Sequence, residues 1–355
     1  MSRRATISLT GDICPTRRLT SLTPDHRVVL DAIGSADLAI GNLEMPLSDK
    51  GFPLDKLLNI RAAPGIAEDI PLLGVHVVTL ANNHAVDYGW EALDDTSRRV
   101  ERAGVATIGS GIDSDAANAA FHADAGGTKI GVVAFSCLTP AGSTATATRP
   151  GIAAIRIDTA YEVDPLYQVE EPGDLSVIKV RTSARPDDLA HAVDVVRRLR
   201  ATCDLVVVTL HWGFGSGEAI AQYQRPVAEA LIDAGAGIIH GHHPHAIHAV
   251  GFYRGSPIFF SSGTLVGQQI FLPASDQVQA MWADMSPDGF VSLLEIVDGA
   301  VVAVRLVPHT LDSNRLPVPA QGAVFDRIHD RLRRLSAAQG ATITAFEGGL
   351  DVRSL

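Results

Sequence analysis

An α/β fold is what this chain of 355 residues predicts, and three observations carry that expectation. Short apolar runs alternate with segments of helical period along most of its length. The apolar runs end abruptly in polar clusters, as in LTGD, GNLE, ANNH, TLHW and IIHGHHPH. Hydrophobic residues make up 46% of the chain and charged residues 19%, enough for a large buried core and too apolar for a disordered chain.

Taken in order, Ala5–Thr10 reads as a strand running into Gly11-Asp12, and Asp37–Ile40 as one running into Gly41-Asn42-Leu43-Glu44. Val75–Leu80 leads into Ala81-Asn82-Asn83-His84. Gly89–Ala103 has helical period and is closed by Gly104, a suitable left-handed C-cap. Lys129–Ser136 is too uniformly apolar to have a solvent face and reads as a buried strand. Leu138–Arg185 is rich in Thr, Ala, Gly and Pro without clear period, which predicts a functional excursion, a lid or a mobile insert. From Pro186 the pattern is helical, with Leu189, Val193, Val196 and Leu199 on one face. Leu205–Leu210 is a strand delivering His211, and Tyr223–Ala234 a helix stopped by Gly235. Gly237–Ile239 is a short strand into the histidine run, and Ile258–Ser262 another. From about residue 290 a hairpin turning at Asp298-Gly299 and a helix over Phe325–Ala338 extend the chain. No repeat or linker divides it, so residues 1–355 read as one domain around a mostly central sheet.

Charge and composition exclude several functions. A net charge of -11 with no basic stripe argues against a nucleic-acid groove. No run approaches the roughly twenty apolar residues of a membrane span, and MSRRATISLTGD lacks a secretory h-region, so the expectation is a soluble, cytoplasmic protein without a membrane anchor. Cys14, Cys137 and Cys203 are odd in number and scattered, which does not suggest disulfides. Nothing in the pattern fixes an oligomeric state.

Five of the thirteen histidines fall between His240 and His248, and imidazole is the commonest side-chain metal ligand. Asp12, Glu44, Asn83, His84, His211, His243 and His245 all lie at strand ends, where α/β sheets bind ligands. Carboxylate, amide oxygen and imidazole together suit divalent Mn, Zn, Fe or Co, and a shared carboxylate can bridge two ions about 3.5–4 Å apart. No cysteine cluster offers a structural thiolate site. Arg17, Arg18 and Arg61 neighbour these motifs and are candidate forks for a substrate carboxylate or phosphate, Arg18 and Arg61 being taken forward as substrate-binding residues. Asp87 either orients His84 or caps the following helix, capping being the commoner duty. Tyr223 reads as helix packing and Trp212 as a pocket wall.

The stretches TGDIC, GNLEMPL, IRAAP, VVTLANNHAVDYG, VTLHWG and YQRPVAEALIDAGAGIIHGHHPHAIHAVGFYRGSPIFFSSGTLVG occur in that order over roughly residues 5–267. Together they resemble the CapA/PgsA family of bacterial poly-γ-glutamate capsule synthesis, within the calcineurin-like metallophosphoesterase superfamily. The combination of LANNH…DYG with HWG…GHHPH is specific. The resemblance implies a metallophosphatase-like fold with central mixed sheets flanked by helices and one or two metal ions at the strand ends. It implies that Asp12 is the terminal carboxylate of a first metal site and Glu44 the bridging one, with Glu where the superfamily usually has Asp. Asn83, His211 and His243 would complete a second site, His245 would return to the first, and His84 would be the acid that protonates a leaving group. An HxH spacing suits this, because alternate residues of an extended segment face one side. Two positions depart from the pattern: Cys14 stands where the superfamily has a histidine ligand, and Gly263-Thr264-Leu265 stands where the family commonly has Gly-Asn-Phe. Cys14 reads as a small buried hydrophobe. The implied function is a metal-dependent hydrolase of a poly-γ-glutamate or related peptide or amide, working through metal-activated hydroxide. Alternatives are a phosphoesterase, a metal-dependent peptide epimerase, and a non-catalytic accessory protein of polymer synthesis.

Overall fold

A computed structural model describes residues 2–215 and 217–355. Two β-sheets face each other, and the alternation along each strand shows why. Leu205 and Val207 of the strand Leu205–His211 enter one core with Ile130 and Val132, and with Ile7, Leu9, Leu38 and Ile40 of the opposing sheet. The intervening Val206, Val208 and Leu210 enter a second core under the helices Pro186–Arg200 and Gln224–Asp233. Ala39, Leu43 and Val78 point the other way, to a third core under Pro24–Gly34 and Gly89–Arg102. The layers therefore run helix, sheet, sheet, helix. Strands covered on both faces need the unbroken apolar runs seen in the sequence. The central mixed sheets implied by the resemblance are these two, and the apolar runs that read as one mostly central sheet divide between them, because residues on both faces of either sheet are equally apolar.

In the ten-stranded sheet, Arg4–Cys14 runs parallel to Leu38–Leu43, followed by Val77–Thr79 and Ala106–Ile108. On its other side Asp288–Val297 pairs antiparallel and turns back into Ala300–Leu311. That turn has left-handed backbone at Asp298 (φ 50°) and Gly299 (φ 81°), as a tight hairpin requires. The C-terminal extension thus widens the first sheet, and its helix Ala323–Ala337 inserts Ile328 and Leu332 into the core between the sheets. In the six-stranded sheet, Thr128–Ser136, Leu205–His211, Ile238–His242 and Ser256–Phe259 are parallel. No helix of the described residues is long and apolar enough to cross a membrane.

The excursion 138–185 holds a two-stranded hairpin, Ile157–Val163 with Ile178–Ala184, and a short helix Pro165–Glu170, all largely exposed. Arg156 ties it to the first turn of Pro186–Arg200 through paired bonds to Asp188 at 2.7 Å each. None of its described residues lines the cavity at the strand ends, so the lid expectation is not met.

Candidate metal centre

Parallel strands bring their carboxyl ends to one rim, and the rim residues converge there. A register slip between Leu9 and Asp12, relative to Leu38–Leu43, re-aims Asp12 from the strand's run. Gly11 permits this: a Cβ there would stand 2.0 Å from the Gly263 carbonyl oxygen, to which the Asp12 amide donates at 3.1 Å. The first sheet contributes Asp12, Glu44 and Asn83, and the second contributes His211, His243 and His245. His243 (φ 105°) and His245 (φ 50°) hold left-handed backbone that side chains disfavour. The strand ends at His242, so the HxH pair is presented by a strained corner and not by an extended segment. Gly241 is obligatory beside it, since a Cβ would lie 2.2 Å from Trp212 Nε1, which donates to Phe260 O.

Glu44 is fully buried, and its Oε1 accepts no hydrogen bond. Three imidazole nitrogens stand around that atom: His211 Nε2 at 3.3 Å, His245 Nε2 at 3.5 Å and His243 Nδ1 at 3.8 Å. These separations are long for hydrogen bonds, but they suit donors that each stand about 2.0–2.2 Å from a shared or a neighbouring cation. His243 Nδ1 is likewise buried without a partner. Asp12 Oδ2 lies 3.2 Å from His245 Nδ1, and Asn83 Oδ1 lies 2.7 Å from His211 Nε2. The donor set therefore fits a divalent ion.

Residues the sequence reading passed over hold this arrangement. Asn42 Nδ2 donates to Asp12 Oδ1 at 2.8 Å and to Glu44 Oε2 at 3.3 Å, which leaves Glu44 Oε1 for the cavity, while the His243 amide stands 3.3 Å from both oxygens of Asp12. Asn82 in turn donates to Asn42 Oδ1 and to the Leu43 carbonyl. Beneath His211, the His242 Nδ1 is 2.8 Å from His211 Nδ1, and His242 Nε2 is 2.8 Å from Thr209 Oγ1. With Nε2–H of His242 donating to Thr209, His211 donates from Nδ1 and turns the Nε2 lone pair inward. Asn42 was visible as the same-face neighbour of Glu44, two residues away along a strand.

Electrostatics separates the donors. Burial raises Glu44, but His245 and His211 override it and hold the carboxyl well below the usual range. Burial opposes the charged form of His245, yet Glu44 and Asp12 hold its pKa well above that of free imidazole. Burial, then the neighbouring Glu44 charge, raises Asp12. Burial pushes His243 down to about 4. At Cys14, burial and the two carboxylates push the thiol far up, in keeping with a small buried hydrophobe.

His84 lines the same cavity, with Nδ1 2.7 Å from Asp87 Oδ2. Asp87 is wholly buried; it also accepts from Lys56 Nζ at 2.5 Å and from the Ile60 amide at 2.7 Å. The helix Gly89–Arg102 has no side-chain cap, so the capping role expected for Asp87 gives way to orienting His84. The arginine expectations fail on geometry. Arg18 is forked onto Asp69 at 2.7 and 2.8 Å, and Arg61 lies over the Tyr88 ring at 4.1 Å, reaching Asp49 O. Neither lines the cavity: closeness in sequence to a site motif did not become closeness in space. Tyr223 is buried, and its hydroxyl accepts from the Gly213 amide at 2.7 Å.

Comparisons with known proteins bear on this architecture. The capsule biosynthesis protein CapA of Bacillus anthracis is 26% identical over 349 residues, 93% of this chain and 77% of its own length. A probable polyglutamine synthesis accessory protein of Mycobacterium tuberculosis is 27% identical over 81% of this chain and 69% of its own. A solved structure of a hypothetical protein from Thermus thermophilus overlays with a TM-score of 0.47 and 14% identity, over 88% of this chain and 100% of that one. The family model for the bacterial capsule synthesis protein PGA_cap matches residues 6–269, a span that includes every donor described above. The chain belongs to that bacterial capsule synthesis family.

Proposed function

We propose that this protein is a metal-dependent hydrolase of an amide or peptide bond, of the kind found in a γ-glutamyl polymer or a related peptide. The observation that carries the reading is the buried, donor-free Glu44 Oε1 among three imidazole nitrogens. In it, Asp12, Glu44 and His245 would hold one ion, and Glu44, Asn83, His211 and His243 would hold a second. A divalent ion in such a site supplies Lewis acidity, polarising a substrate oxygen and making water a competent nucleophile near neutral pH.

The chain's own residues do the rest. Asn42 and His242 fix the direction of the carboxylates and of His211. Asp87 fixes which ring nitrogen of His84 faces the cavity, leaving Nε2 to deliver a proton. Water adds at the carbonyl carbon, the C–N bond breaks, the leaving nitrogen takes its proton from His84, and the proton released by the added water restores His84. We place this chemistry in the cytoplasm, as the sequence leads one to expect.

A second reading, a non-catalytic accessory of polymer synthesis, is favoured by the description of the Mycobacterium tuberculosis relative. Metal analysis combined with turnover assays on γ-glutamyl amides, dipeptides and bis(4-nitrophenyl) phosphate separates the readings. Metal-dependent cleavage of an amide, lost in His84→Ala with metal retained, is the expected result. Cleavage of the phosphodiester alone would make the protein a phosphoesterase. Bound metal with no turnover on any of them would leave the accessory role.

A further inference from the structure

The cavity over Glu44, His243 and His245 is walled by side chains the metal centre does not need. Leu57, Leu58 and Ile60 form one side; Met281, Trp282 and Met285 form the other. The first three are fastened to the loop of His84 through Leu54 N to Asp87 O at 2.9 Å and Ile60 N to Asp87 Oδ2 at 2.7 Å. Met281 and Trp282 lie on the helix Asp276–Ala283, and Met285 follows it. Leu57 is 76% exposed and Met281 44%, although both border the opening. Leu58 and Met285 are half-buried, and Ile60 and Trp282 are buried behind them. Single exposed apolar residues need no explanation, but a continuous apolar wall beside a polar centre, with two of its members exposed and two half-buried, does.

Charge points the same way. Among the described residues lining the cavity, Lys56 is the one Lys or Arg, and its Nζ is already held by Asp87 Oδ1 and by the Asn83 carbonyl. Arg17 lies 3.7 Å over the Phe271 ring, and Arg18 and Arg61 are engaged elsewhere. A run of glutamates would press carboxylates against this wall with no free cation to meet them, and desolvating an unpaired charge is costly.

We infer that the wall is a subsite for one apolar side chain of the substrate, adjacent to the bond acted on at the metal centre. The substrate is then a peptide or amide carrying an aliphatic or aromatic residue there, and not an uninterrupted polyglutamate. This rests on the hydrolase reading above. The cavity volume, about 230 Å³, is below the roughly 300–1,000 Å³ of drug-sized sites and suits a single side chain. Two flexible methionines in the wall favour tolerance among apolar groups over sharp discrimination.

The test uses the full chain loaded with Zn or Mn and three hydroxamic acids that share one metal anchor and differ in tail: acetohydroxamic acid, hexanohydroxamic acid and glutaric monohydroxamic acid. Calorimetry reads the affinity of each. Full burial is worth about three- to fourfold per methylene, so the hexanoyl tail should bind at least about tenfold tighter than the acetyl. The glutaric tail should bind no tighter than the acetyl. Leu57→Asn, at an exposed position, should remove part of the hexanoyl gain and leave acetohydroxamic acid unchanged. Three equal affinities, or a preference for the glutaric tail, would overturn the apolar subsite alone. Acetohydroxamic acid binding no better to the loaded than to the chelator-treated protein would overturn the metal-centre reading, and the subsite with it.

Discussion

The floor of the cavity and its wall are built on opposite terms. Asp12, Glu44 and His211 in the floor are completely buried, and each is tied by Asn42 or His242 into one orientation. Leu57, Leu58, Met281 and Met285 in the wall are half-buried or exposed, and among the described residues the one polar contact of their side chains is the weak one from Gln269 Nε2 to Met285 Sδ at 3.7 Å. The difference teaches a division of labour. Reactivity needs donors aimed to a fraction of an ångström, which only a buried, bonded network supplies. Substrate choice at an apolar surface needs area more than aim, and tolerates mobility.

His84 sits at the seam, and its removal should give the largest effect. His84→Ala is expected to lower turnover about 10²–10⁴-fold while metal content, read by plasma mass spectrometry, stays as in the parent. Loss of metal in this variant would move His84 into the floor as a ligand and break the comparison. Next comes the floor's shared carboxylate. Glu44→Gln should weaken metal binding by at least about 100-fold, the upper end for losing a partner that only supports a ligand, measured by dialysis against buffered free metal. Unchanged stoichiometry and affinity would remove Glu44 from the centre.

Acid should strike the buried side of the molecule before the wall. Burial holds His240, whose Nε2 faces the Thr10 carbonyl at 2.8 Å beneath the floor, and His309 each down to about 4. Their folded pKa lies below the unfolded value near 6.5, so above pH 6.5 neither costs stability. As pH falls from 6.5 towards 4 the unfolded chain takes up protons the folded chain refuses. Each then withdraws about 1.4 kcal/mol of stability per pH unit. Denaturant melts of the metal-free protein at pH 7, 6 and 5 check this; a flat profile would mean that these rings are not kept neutral. The smallest effect belongs to the wall. Leu57→Asn should change folding stability by less than about 0.5 kcal/mol and leave metal content intact. A loss of metal there would show that wall and floor are mechanically one.

The floor was legible in the sequence and the wall was not, for a physical reason. Parallel strands of one sense must end on one rim, so Asp12, Glu44, His211 and the histidine run can be gathered from the sequence alone. Asn83 and His84 followed from the same rule, a few residues past Val77–Thr79. Lys56 and Met281 carry no such sign. They come from segments without period, and only folding brings them to one opening. Arg18 and Arg61 misled because basic side chains next to a motif find nearby acids, carbonyls and aromatic faces first. The division into two sheets came with the family resemblance and not from the apolar runs: an apolar strand covered on both sides does not announce which neighbour it pairs with.

Three donors ride on each sheet, and this gives the metal centre a mechanical meaning besides its chemical one. An ion there would span the gap between two sheets that share a packed apolar core, already crossed by directional contacts such as His240 Nε2 to the Thr10 carbonyl at 2.8 Å and Arg3 Nη1 to Asp204 Oδ2 at 2.6 Å. Sliding one sheet across the other by an ångström would disturb that packing and would also spoil several metal bonds at once. A loaded centre would therefore add a further brace between the two sheets, and emptying it should speed hydrogen exchange along Leu205–His211 and Arg4–Cys14 first at the rim.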